Sequence, residues 1–129
     1  MKVLIVGMNP SARSPNKKLA KNSTLDRLNR WMDSCEIINF SFINTCDIIK
    51  DKVKIEDVDL LRLRGAADGY VKVVALGKFA SLCLDKARVN HLEMPHPSPL
   101  NRLLNDKQYE ANKIKQCKNY IRASHEHIR

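Results

Sequence analysis

Short apolar runs recur along the chain and are separated by longer polar or helical segments. The runs 2–6, 36–42, 71–76 and 89–94 are the predicted strands. Continuous apolar runs such as Val3–Val6 are typical of parallel strands buried on both faces. The sequence therefore predicts a small four-stranded parallel sheet.

Helical periodicity fills the intervals between these strands. Asn22 or Ser23 can cap a helix that runs to about Asp33, and other helices are predicted over 58–67, 78–86 and from Asp106 to about Ser124. Alternating strands and helices favour one doubly wound α/β domain that spans residues 1–129. The predicted buried positions of the first and last helices are Leu25, Leu28, Trp31 and Met32, and Tyr109, Ile114, Cys117 and Ile121.

The length of the chain indicates a single domain, and its charge favours an anionic partner. A chain of 129 residues with 43% hydrophobic content suits a single core. The formal charge of +9, from 23 Lys and Arg against 14 Asp and Glu, favours polyanions such as nucleic acid, but solvated lysines explain it equally well. The charge alone does not decide the function.

The four cysteines contain no C-x-x-C pair, so neither a compact zinc site nor a disulfide framework is indicated. We expect buried thiols. The apolar run before Gly7 is too short for a secretory signal, and no stretch approaches membrane-spanning length. An intracellular location and no membrane partner are expected.

Two segments carry the candidate chemistry: Gly7–Ser11, which reads G-M-N-P-S, and His96–Arg102, which reads H-P-S-P-L-N-R. Each follows a predicted strand. Ligands of open parallel sheets bind beyond the carboxyl ends of the strands, so we expect the two segments to form one active site.

In the first segment, Pro10 restricts Asn9 to extended conformations and so fixes the direction of its carboxamide. That amide can hold a water molecule, and Gly7 lets the backbone approach a ligand closely. An ordinary Asn-Pro turn explains the same residues.

In the second segment, His96 lies between two prolines that stiffen its backbone. A fixed neutral imidazole can donate a hydrogen bond to an oxygen that gains negative charge, although a structural loop histidine is the alternative. Leu100 can wedge into a base stack, while Ser98 and Arg102 suit phosphate contacts. His91, His125 and His127 are assigned no catalytic role.

Both segments, in this order, resemble the signature motifs of the uracil-DNA glycosylase superfamily, and are closest to its single-strand-selective and mismatch-specific branches. The resemblance implies a three-layer α/β/α fold with strand order 2-1-3-4. It also implies that Asn9 positions the attacking water, that His96 stabilises the departing pyrimidine at O2, and that Leu100 fills the gap left by the flipped nucleotide. Met8 and Pro10 would line the base site, and Ser11 and Asn101 would contact DNA. The protein would be a monomer that uses no metal or cofactor.

Members of that superfamily read the pyrimidine with an asparagine near the end of the second strand. Asn39 is the best match and Asn44 is its rival, since either carboxamide can pair with O4 and N3–H of uracil. Phe40 ranks slightly above Phe42 as the stacking ring.

The chain departs from the family pattern at two places. Asn9 stands where an aspartate could act as a general base, so water would be oriented without being deprotonated. Ser11-Ala12-Arg13 and a lysine-rich stretch replace a pocket wall. A non-catalytic DNA- or nucleotide-binding protein with the same fold is therefore the alternative.

Overall fold

The computed structural model describes residues 2–7, 18–46, 53–97 and 101–123. These residues group into two compact units. The first contains residues 2–7, 39–46 and 53–94, and the second contains 18–38, 95–97 and 101–123.

The first unit contains a four-stranded, all-parallel sheet. Its strands are β1 (Val3–Gly7), β2 (Phe40–Asn44), β3 (Lys72–Leu76) and β4 (Leu92–Met94), in the order β2-β1-β3-β4. The predicted α/β class and the strand order 2-1-3-4 are confirmed. β1 is central and pairs in register with β2 over five residues, from Val3 opposite Phe40 to Gly7 opposite Asn44.

Two helices pack on one face of this sheet. They are α2 (Leu60–Ala67) and α3 (Lys78–Lys86), and the bounds of α3 are those predicted. Their apolar residues join those of β1 and β3 in one core, which includes Leu4, Val6, Leu63, Ala67, Val73, Ala75, Ala80, Cys83 and Leu84. Ile5 and Val74, which alternate to the other face, are also fully buried. Burial on both faces explains the continuous apolar runs.

The second unit contains α1 (Lys18–Ser34) and α4 (Lys107–Arg122). Asp106 caps α4, because its carboxylate accepts hydrogen bonds from the backbone N–H groups of Gln108 and Tyr109 at 2.9 and 3.2 Å. The predicted inner residues Leu28, Trp31 and Met32 are buried, as are Cys117 and Ile121, while Tyr109 and Ile114 are half-buried. The side chain of Leu25 lies outside the described part.

Two predicted boundaries are wrong for a shared reason. α1 ends in a turn in which Glu36 has a φ of 60° and the Ile37 N–H donates to Met32 O, so β2 begins at Phe40 instead of residue 36. α3 ends in the same way at Arg88, whose φ is 62°, and β4 begins at Leu92 instead of residue 89. Both strands start late because the preceding turn uses the residues assigned to them. α1 also begins earlier than predicted, at Lys18.

The buried Trp31 indole generates a stability prediction. Its Nε1–H donates to Glu110 Oε2 at 2.7 Å, which links α1 to α4, and Arg27 Nε lies 3.5 Å from the same oxygen. Glu110→Ala leaves a buried donor without its acceptor and should lower the free energy of unfolding by about 1–3 kcal/mol. Urea unfolding measures this loss. Glu110→Gln keeps an acceptor and should retain most of the wild-type stability. Equal losses of stability in both variants would contradict the role of the hydrogen bond.

Candidate functional site

The carboxyl ends of β1 and β2 bring three predicted or rival site residues together. Gly7 pairs with Asn44, and the Thr45 N–H donates to Gly7 O at 3.0 Å. A Cβ atom on Gly7 would lie 2.7 Å from Cζ of Phe42 and 3.1 Å from Oδ1 of Asn44. A side chain at position 7 would therefore force the Phe42 ring to shift, because Phe42 and Asn44 approach the Gly7 backbone closely.

The structure separates two predicted site residues, Asn39 and Phe40, from Gly7. Asn39 precedes β2, where its carbonyl accepts from the Val3 N–H at 3.1 Å, and Phe40 is the first residue of that strand. Both lie at the amino end of the sheet. Four residues of extended chain, about 13 Å, separate Phe40 from Asn44. The structure thus brings Asn44 and Phe42 beside Gly7 but not Asn39 and Phe40, whose predicted roles stay predictions.

Phe42 and Asn44 also border a cleft of about 480 Å³ at the edge of the sheet. Its opposite wall comes from the 3₁₀ turn Ile55–Asp57 and from α2. Sequence analysis missed the three charged residues of this wall, which are Asp57, Asp59 and Arg62. The two carboxylates also serve the backbone: Asp57 accepts from the Lys54 N–H at 2.8 Å and Asp59 from the Arg62 N–H at 3.1 Å. In the sequence, the signal that could have indicated this wall is the pair of aspartates, Asp57 and Asp59, that precede α2.

The Phe42 side chain remains in contact with solvent, with 47% of its surface exposed. An aromatic ring that is half-exposed beside an amide side chain can stack on a planar ligand while the amide reads its polar edge. The pair therefore suits a planar ligand with polar edge groups.

His96 belongs to the second unit and is held by its neighbours along the chain. Pro95 and Pro97 are buried and the histidine between them is exposed. Asn101 Nδ2 donates to the His96 carbonyl at 3.0 Å, and its Oδ1 accepts from the Leu103 N–H at 3.2 Å. Solvent reaches the imidazole, yet the surrounding protein desolvates it enough to lower its pKa below the usual 6.5. The ring is accordingly neutral at neutral pH.

Asn101 therefore shapes the loop, because both ends of its carboxamide bond to backbone groups. Its predicted contact with DNA stays a prediction. Arg102 is exposed at the start of the 3₁₀ turn Arg102–Asn105. The other predicted site residues lie outside the described residues: Met8, Asn9, Pro10, Ser11, Ser98 and Leu100.

His91 has a structural role. Ser81 Oγ lies 2.7 Å from its Nε2, and its Nδ1 lies 2.8 Å from Val89 O. A donated Nδ1–H leaves Nε2 to accept from the serine hydroxyl. This bonding ties α3 to the residues before β4, as expected for a histidine outside the catalytic set.

The four cysteines are buried free thiols, as predicted. Cys46 and Cys83 lie in the first unit, where burial, aided by Cys46, raises the pKa of the Cys83 thiol to about 11. Cys35 and Cys117 hydrogen-bond in the second unit, and this bond lowers the pKa of Cys35 and raises that of Cys117. Among the described residues, no three His, Cys, Asp or Glu side chains come together as metal ligands.

Comparison of the chain with protein-family models, curated proteins and solved structures gives no match. In the described part of the chain, no helix has the length and apolar character needed to cross a membrane. Function must therefore be argued from the residues and their geometry.

The close approach at Gly7 can be tested by a double-mutant cycle. Gly7→Ala should destabilise the protein by about 1 kcal/mol, because the new methyl group overlaps the Phe42 ring. In a Phe42→Ala background the same change should cost much less. Gly65→Ala is the matched control, since nothing lies within 4 Å of the added methyl in α2 and alanine favours a helix. Urea unfolding that shows no coupling between positions 7 and 42 would contradict the contact.

Proposed function

We propose that the protein is a DNA glycosylase that hydrolyses the N-glycosidic bond of uracil or a related pyrimidine. The observation that carries the proposal is the meeting of Gly7, Phe42 and Asn44 at the carboxyl ends of β1 and β2. Gly7 is also the first residue of the G-M-N-P-S segment. We include in this proposal the three-layer glycosylase fold, which the observed β2-β1-β3-β4 sheet supports.

In this proposal Asn44 reads the base and Phe42 stacks on it. A carboxamide donates to O4 and accepts from N3–H of uracil, a pattern that no apolar side chain supplies. The half-exposed ring of Phe42 lies beside that amide at the end of the same strand. Asn44 thus replaces Asn39 in the proposed site, and Phe42 replaces Phe40.

His96 stabilises the leaving group. As the bond between C1′ and the base nitrogen breaks, its electron pair passes to the pyrimidine and negative charge gathers on O2. A neutral imidazole N–H donates to that oxygen, and a lowered pKa keeps the ring in the donating, uncharged form. Water oriented by Asn9 adds to C1′ and releases its proton to solvent, and no cofactor is invoked.

The remaining residues of the two motifs would hold the DNA. Leu100 fills the space left by the extruded nucleotide, and Ser11, Ser98, Asn101 and Arg102 contact the backbone. A formal charge of +9 supports binding to a polyanion. Single-stranded or mismatched duplex DNA is the proposed substrate, bound by a monomer.

The activity test uses end-labelled single- and double-stranded oligonucleotides that carry one uracil, treated with alkali after incubation. Wild type should give strand scission at the uracil. His96→Ala should slow excision by about 10²–10³-fold, because it removes a preorganised donor. Scission at equal rates in wild type and His96→Ala would contradict the mechanism. DNA binding without scission, on modified pyrimidines as well as uracil, would favour the non-catalytic binder.

Asn39 supplies a matched control for the role of Asn44. Asn44→Ala should reduce excision by about 5- to 150-fold, since a lost hydrogen bond in a desolvated site costs about 1–3 kcal/mol. Asn39→Ala changes the same residue type at the other end of β2 and should leave excision nearly unchanged. The opposite ranking would refute the assignment of the base-reading residue.

The pH dependence of excision follows from His96. Its pKa lies below 6.5 because of desolvation, so the neutral donor persists as the pH falls from 8 to 6.5. Single-turnover rates should therefore fall at acid pH with a midpoint below 6.5, as the imidazole gains a proton. A midpoint above pH 6.5, absent in His96→Ala, would argue against a neutral His96.

A further inference from the structure

A second cleft, of about 270 Å³, opens at the amino end of β3. It lies within the first unit, at the end of the strands opposite Gly7 and Asn44. The end of α2, the residues before β3 and the turn after α3 form its walls. The polar and aromatic residues that line it are Arg64, Asp68, Tyr70, Arg88 and Asn90.

Arg88 occupies a backbone position that disfavours a side chain. Its φ is 62°, in the left-handed region, where glycine is usual after a helix. The turn is closed by hydrogen bonds from the Arg88 N–H to Asp85 O at 3.0 Å and from the Val89 N–H to Leu84 O at 2.9 Å. An arginine at this position is strained relative to glycine, and such outliers are common at functional sites.

The end of α1 provides an internal comparison. Glu36 has the same left-handed conformation, but its carboxylate pairs with Arg122 at 2.9 Å and Lys118 at 3.8 Å. Arg88 and Arg64, by contrast, form no ion pair with any residue that the structure describes. The Glu36 carboxylate is therefore neutralised by ion pairs within the protein, whereas Arg88 lines the cleft.

The charges around the cleft favour an anion. Two arginines, Arg64 and Arg88, line the cleft together with one carboxylate, that of Asp68. A third cation is nearby, since Nζ of Lys2 lies 5.9 Å from the centre of the Tyr70 ring. Tyr70 has Lys2 on its ring and packs against the core, so it offers little surface for stacking. Planar guanidinium groups bind phosphate through paired hydrogen bonds. The cleft thus offers charge for a phosphate and no platform for a base.

We propose that this cleft binds a phosphate group, supplied by the backbone of a nucleic-acid strand. This binding site is separate from the proposed site of base excision and does not depend on catalysis. The total charge of +9 is consistent with contacts to a polyanion beyond those of the two motifs.

The main test is fluorescence anisotropy with a labelled single-stranded oligonucleotide that contains no uracil, titrated at several salt concentrations. Replacing Arg64 with serine and Arg88 with glycine together should weaken binding. The slope of log K against log salt should fall in magnitude by about 0.7, since one neutralised phosphate on a single strand contributes about that amount. Arg30→Ser removes one exposed arginine of α1 and is the control for loss of a surface charge elsewhere.

Single substitutions separate binding from folding. Arg88→Gly relieves the left-handed strain, so it should raise Tm while weakening the complex. Asp68→Asn removes the opposing carboxylate and should tighten binding. A lower Tm for Arg88→Gly would show that the arginine is there to stabilise the fold and would overturn the proposal.

Inorganic phosphate distinguishes the two sources of the ligand. If the double variant loses the phosphate-induced rise in Tm but binds the oligonucleotide like the Arg30→Ser control, the cleft takes a small phosphate compound and the nucleic-acid assignment is wrong. If it loses both, the nucleic-acid backbone is supported. If it loses neither, the cleft is no phosphate site. The oligonucleotide contains no excisable base, so absence of glycosylase activity leaves this test unaffected.

Discussion

The in-register pairing of β1 with β2 is the constraint on which the candidate site depends. Five consecutive residue pairs run from Val3 with Phe40 to Gly7 with Asn44, so the two strands end together. A shift of one residue would turn Asn44 to the other face of the sheet. The close contact of Phe42 and Asn44 with the Gly7 backbone would then be lost.

Burial of apolar side chains fixes that register. Leu4 and Val6 point into the core formed with α2 and α3, while Ile5 between them is fully buried on the other face. Neither face of β1 can be exposed to water without losing the burial of several large apolar side chains. Because position 7 is a glycine, the side chains of Phe42 and Asn44 from β2 can lie close to the end of β1.

The helix ends determine where the outer strands begin. Glu36 and Arg88 both adopt the left-handed conformation that usually indicates glycine, and each turn uses residues that an apolar pattern assigns to a strand. The late start of β2 is what moves Asn39 out of the strand and leaves Asn44 at its carboxyl end. The turn at the end of α1 thus decides which asparagine lies beside Gly7.

Apolar periodicity and caps such as Asp106 act over a few neighbouring residues, so the existence and order of the four strands and main helices, and the α/β class, follow from the sequence. It also supplied both motifs, whose residues 8–11 and 98–100 lie outside the described structure. Alternation left Phe40 and Phe42 equivalent, since both fall on one face of the strand, and the pattern left open where β2 begins, on which the choice between Asn39 and Asn44 rests. The register of β2 against β1 resolves both choices in the fold, because it depends on pairing between residues more than thirty positions apart in the chain.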